Sequence, residues 1–267
     1  MKLKNLLYTC LVIIILLSAA NAEAVSPYPA LETKAARFFK YKEWASASAM
    51  FDLMLEERPD VAQTYSQAIV SNGMMGNHDA QAHLMAKALD NHIPFDSVFS
   101  GVKEWSFHIG KPHLFEKFLI DTRETHPWMQ RTINGYLLKY YSLRRNGPEM
   151  ITYSHTMLDG APDNISFLTL LAEGYMLNGD TDKGIATYKH ILHLSPDNYH
   201  ALLTLGNWYA SRPGTSQAES PVYYLERADS LRPTPYVTAL IKQLKRCRGV
   251  IADSYGPRLA GPQPASL

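Results

Sequence analysis

The sequence predicts an all-α chain built from consecutive helix pairs, and two observations predict it: helix-stopping residues at a fixed interval, and apolar residues at helical spacing between them. Pro59, Pro94, Pro127, Pro162, Pro196 and Pro233 stand 35, 33, 35, 34 and 37 residues apart, each closing a segment that reads as helix. A second set of breaks falls between them: Tyr41-Lys42, Gly76-Asn77, Gly110-Lys111-Pro112, Asn146-Gly147-Pro148, Asn178-Gly179-Asp180 and Arg212-Pro213-Gly214. Together they divide the chain into twelve helical segments of about a dozen residues each. No stretch alternates β-branched with polar residues for long enough to suggest a strand.

Each segment can bury one face. Ala47, Met50, Phe51 and Met54 fall at i, i+3, i+4 and i+7, and so, nearly, do Ile165, Leu168, Leu171, Ala172 and Tyr175; Ile185, Tyr188, Ile191 and Leu192 continue the pattern. Asp60, Asp163-Asn164 and Asp197-Asn198 follow closing prolines and are residues that cap helix N-termini, because a short polar side chain accepts from the unpaired first-turn amides. A last segment, Thr234–Arg248, carries Val237, Leu240, Ile241 and Leu244 on one stripe and is expected to cover the apolar face of the final pair.

At this point the chain resembles the tetratricopeptide repeat family, whose unit is a 34-residue helix-turn-helix closing near a proline. The unit from Tyr28 places Leu31, Ala35, Phe38, Ala47, Phe51 and Met54 at the family's signature positions; the unit from Ile165 places Leu168, Leu171, Ala172, Tyr175, Gly184, Tyr188 and Ile191 there; the next supplies Leu202, Leu205, Gly206, Tyr209, Leu225 and Ala228. Residues 63–162 keep the period, but Lys103, Phe115, Leu138 and Met150 occupy places where the family prefers small residues, so looser packing or altered helix angles are expected there. The resemblance implies a right-handed α-α superhelix of about six helix pairs with a C-terminal capping helix. It also implies a concave face lined by the first helix of each pair, where the family binds extended peptides or partner segments. By resemblance the groove-facing residues are Glu32, Ala36, Phe39 and Lys40, then Ser166, Thr169, Glu173 and Met176, then His200, Leu203, Asn207 and Ala210. Thr169 and Glu173 stand where the family's carboxylate clamp wants a lysine and an asparagine, and Glu173 would repel a ligand carboxylate, so that clamp is not expected.

The N-terminus carries an export address. Lys2 and Lys4 precede an apolar run from Leu6 to Leu17 and the small-residue site Ala20-Asn21-Ala22, the layout of a cleaved secretory signal. The run is about a dozen residues, short of the roughly 20 that span a bilayer. The expected organisation is therefore a signal over 1–22, a helical-repeat domain over 23–249 and a flexible tail over 250–267. Loss of the signal takes the formal charge from +1 to −1 and leaves Cys247 as the one cysteine, so the exported chain has no internal disulfide; a periplasmic or secreted location fits.

Composition narrows the function. The 267 residues are 46% hydrophobic, enough for a sizeable core, and 26 Lys+Arg against 25 Asp+Glu give no field to attract nucleic acid. Nucleophile elbows, phosphate-binding glycine loops, dinucleotide fingerprints and zinc-protease motifs are absent from the sequence. Ser100-Gly-Val-Lys103 matches a Ser-x-x-Lys spacing without its accompanying Lys-Thr-Gly and reads as an ordinary helical surface. His190 and His193, three apart on a helix, lack a third metal ligand, and the adjacent Glu56-Glu57 diverge on their helix. No metal or cofactor is expected. Lys242, Lys245, Arg246 and Arg248 complement the dipole of the last helix and offer at most a peripheral contact with an anionic membrane surface. Trp105 and Trp128, in the degenerate middle, are the candidate aromatic anchors for a partner. The leading expectation is an exported, non-enzymatic scaffold binding a protein or peptide. A glycan-handling role through exposed aromatics is the alternative.

Overall fold

The structure, a computed structural model, describes residues 28–212 and 220–254, with side chains to Arg246. The expected signal segment, the chain from 255 onward and most of the Arg212–Ser220 connection lie outside the described residues. Thirteen α-helices and no strand are found among the described residues: α1 (Tyr28–Lys40), α2 (Trp44–Glu57), α3 (Ala62–Met74), α4 (His78–Asp90), α5 (Phe95–His108), α6 (His113–Thr125), α7 (Gln130–Arg144), α8 (Gly147–Leu158), α9 (Ile165–Asn178), α10 (Thr181–Leu194), α11 (Tyr199–Ala210), α12 (Pro221–Leu231) and α13 (Pro235–Ser254). These are six pairs and a terminal helix, the number the two sets of breaks predict. The terminal helix runs six residues beyond Arg248.

The turn inside each of the first five pairs explains the period. Lys42, Gly76, Gly110, Arg145 and Gly179 all have left-handed backbone (φ from 53° to 87°) and succeed one another every 34 or 35 residues. In the first four, two hydrogen bonds close the helix end in the Schellman pattern; at the first, Lys42 N donates to Phe39 O (3.1 Å) and Glu43 N to Phe38 O (2.9 Å). Glycine meets this conformation without cost, whereas Lys42 and Arg145 adopt it with a Cβ. Caps start the helices that follow: Asn77, Asn146, Asn164 and Asn198 accept from amides in the first turns of α4, α8, α9 and α11. Asp60 does not cap α3, contrary to expectation. The Arg58 guanidinium engages its carboxylate at 3.1 Å, lowering its pKa, and Val61 holds the cap position instead.

The chain divides into two compact units, one ending at Gln130 and the other starting at Arg131. In the first, α3 is the central helix, packed by α2, α4, α5 and α6, with Tyr65, Ala68, Ile69 and Val70 fully buried. The buried polar groups of α3 find partners: Tyr65 Oη donates to Pro59 O (3.1 Å), Asn72 Nδ2 to Ser48 Oγ (2.9 Å) and Ser66 Oγ to Val98 O (3.3 Å). A Cβ added at Gly101 would sit 2.3 Å from Ser66 Oγ, so α3 and α5 lie in close contact.

In the second unit α7 joins α8 through stacked Tyr141 and Tyr153 (ring centroids 5.4 Å), and α8 to α13 follow one another in contact. At the α8–α9 contact backbone meets backbone, for a Cβ at Gly147 would lie 2.9 Å from Gly174 O. Leu168, Leu171, Ala172, Tyr188, Ile191, Leu202, Leu205 and Tyr209 share one core, while Val222 and Leu225 of α12 meet Val237 and Ile241 of α13, which covers the last pair as expected. Within residues 63–162 the larger residues at the family's small positions still find cover. Phe115, Leu138 and Met150 are fully buried, and Gly101 and Gly147 provide close approaches at other positions.

Candidate functional site

In the first unit the first helices α1, α3 and α5 share one face, and a recess of about 480 Å³ opens on it. Its floor is Phe39. This side chain, expected in a groove, is only 6% exposed because three rings meet it edge-on: Trp44 at 5.3 Å, Trp105 at 5.2 Å and Phe51 at 6.1 Å between centroids. Trp44 and Trp105, both half-buried, form the walls. Lys40, Lys42 and His108 are exposed at the rim, with the His108 ring edge-on to Trp105 at 5.5 Å. No carboxylate lines the recess, and among the described residues neither lysine pairs with one. The fold thus brings together Phe39, Lys40 and Trp105, singled out separately from the sequence. Trp44 and Lys42 were missed; the signal for them was their place at the α1–α2 turn.

Beyond Trp105, on the α3–α5 side, a smaller recess of about 280 Å³ is polar, lined by Gln63, Ser66, Ser97, Ser100 and Glu104. Ser100 of the Ser-x-x-Lys spacing is an exposed hydroxyl at this surface. A third recess in this unit, about 590 Å³, lies on the second helices and holds Asp52, Glu56, His83 and Lys87; partial burial raises the Asp52 pKa and Lys87 opposes the rise. Glu32 is exposed on α1. Trp128, in the short 3-10 turn Pro127–Met129, is 68% exposed with His126 edge-on to it.

In the second unit polar groups of the first helices α9 and α11 meet Tyr188 of α10 and Tyr236 of the terminal helix α13. Glu173 Oε1 and His200 Nε2 are 3.2 Å apart, Tyr188 Oη lies 3.4 Å from the same nitrogen, and Tyr236 Oη donates to Asn207 Oδ1 at 3.5 Å. Burial, then the Glu173 charge, pushes the Tyr188 phenol up to about 12. Thr169 turns its hydroxyl to the Ile165 carbonyl (2.8 Å), and Met176 and Leu203 are half-buried against the core. His190 approaches Asp163 at 3.9 Å, and no group of three or more His, Cys, Asp or Glu suited to a metal occurs among the described residues. Lys245 of the basic cluster pairs with Glu226 at 2.6 Å, and no helix among the described residues is long and apolar enough to cross a membrane.

Paired helices, left-handed turns at a 34-residue interval and a covering last helix decide the architecture. The fold is tetratricopeptide-like.

No family model matches the chain, and no curated protein is similar to it. Among solved structures it is similar to the C-terminal part of a TPR repeat-containing protein from Cytophaga hutchinsonii (16% identity over 73% of this chain and 77% of that one, TM-score 0.45). It is likewise similar to pilF of Pseudomonas aeruginosa (11%, 82% and 96%, 0.43) and to the P58(IPK) TPR domain (15%, 86% and 67%, 0.41). None is near enough to carry a partner or an activity over to this chain.

Proposed function

We propose that this tetratricopeptide-like chain is a non-enzymatic scaffold that binds a protein or peptide segment on the face of its first helices, outside the cytoplasm. The observation that carries the reading is the recess on α1, α3 and α5: an aromatic floor and walls with exposed cations at the rim have the composition of an interaction hot spot. The export part of the proposal rests on the basic start, short apolar run and Ala20-Asn21-Ala22 site.

Site-directed photo-cross-linking in intact cells tests it. A cross-linker replacing Lys40 or Asn207, on first helices, is expected to give a discrete protein adduct, and one replacing Ala186, exposed on the second helix α10, is not. Equal yields at all three positions, or no adduct at any, would reject the reading.

A further inference from the structure

Resting on that reading, we infer that the α1–α3–α5 recess selects a segment whose bulky apolar residue has a carboxylate on one side and a neutral or basic residue on the other. The apolar residue is set by the recess itself. Phe39 closes its floor, and Trp44 and Trp105 present indole faces and edges on either side, in a volume of about 480 Å³, the size that takes a small ligand or one anchoring side chain.

The two flanks are set by charge. On the α1–α2 side stand Lys40 and Lys42, with no acidic partner among the described residues and no carboxylate in the lining. The Schellman hydrogen bonds at Lys42 fix its backbone beside Trp44, so less conformational entropy is lost when this cation is engaged. On the far side of Trp105 the surface changes character. Gln63, Ser97 and Ser100 offer uncharged hydrogen-bonding groups, and Glu104 is the charge that a ligand meets there. A carboxylate on both flanks would face Glu104, and a lysine on both would face Lys40 and Lys42. Only the asymmetric segment matches both ends, and mismatched like charges are what an interface of this kind rejects.

Isothermal titration of the full chain with capped five-residue peptides tests the inference. Each has a central Leu or Phe, with Glu, Ser or Lys on either side in both orders. Peptides with Glu on one flank and Ser or Lys on the other are expected to bind at least about tenfold tighter than those with Lys on both, and binding should weaken as salt rises toward roughly 0.5 M. Lys40→Glu with Lys42→Glu, exposed positions that leave the core intact, should reverse the order in favour of the double-lysine peptides. Glu104→Lys should favour Glu on both flanks, and Trp105→Ala should abolish binding, with circular dichroism confirming that each variant is folded. Equal affinity for all flanks, or a preference the charge reversals leave unchanged, overturns the inference. If cross-linking then still yields an adduct at Asn207, the scaffold reading stands without it.

Discussion

Lys42 and Arg145 hold a backbone conformation that a Cβ disfavours by roughly 1–2 kcal/mol, in turns equivalent to those where Gly76, Gly110 and Gly179 stand. Arg145→Gly removes that cost and adds some unfolded-chain entropy, so a net gain of about 0.5–1 kcal/mol is expected in chemical denaturation. Gly110→Ala, with φ +72°, should lose a similar amount though no atom lies near the new methyl. Tyr188 gives a second expectation. Its phenol titrates at about 12 in the fold against about 10 when unfolded, so the folded chain holds this proton more tightly. The associated stability is complete below pH 10 and is lost as pH rises toward 12. Tyr188→Phe should flatten that alkaline decline in thermal melts without altering the slope at neutral pH.

Among elements, the contact between α8 and α9 is a meeting of backbones. Gly147→Ala would drive a methyl against Gly174 O and Asn178 N, atoms that move only with their helix, and about 1–3 kcal/mol of destabilisation is expected. Hydrogen exchange should quicken first in α8 and α9, since arrays of this kind lose structure locally. Helix existence and boundaries were legible because proline and Asn-Gly breaks act within a few residues. The close approaches were not. Gly147 reads from sequence as part of a turn and is the first residue of α8, while Gly174 lies at no signature position; their meeting depends on how two helices cross, which no local pattern encodes. The same reasoning explains Phe39. Its register on α1 matches a groove position, yet Trp105, over sixty residues away, comes to lie against it.

At the scale of the whole molecule the period, the pairing and the covering last helix were legible in the sequence, whereas the binding face was half read, because Lys40 and Trp105 come to line one recess only after folding. Lys40 was placed by register, whereas Lys42 and Trp44 gained meaning from the turn between α1 and α2. The proposed export has its own check. Intact mass of the protein recovered from the cell envelope should begin at Glu23. With Cys247 then the one cysteine, reductant should leave the melting temperature unchanged; a downward shift on reduction would point to a disulfide-linked species.

The chain's four tryptophans are distributed usefully. Trp44 and Trp105 flank Phe39, Trp128 faces solvent, and Trp208 lies beneath the Arg212 guanidinium at 4.4 Å. Replacing Trp128 and Trp208 with Phe would confine indole emission to the two rings beside Phe39. The protein would then carry its own optical reporter, in which a shift in wavelength or a drop in quenching by iodide registers occupancy without any dye attached.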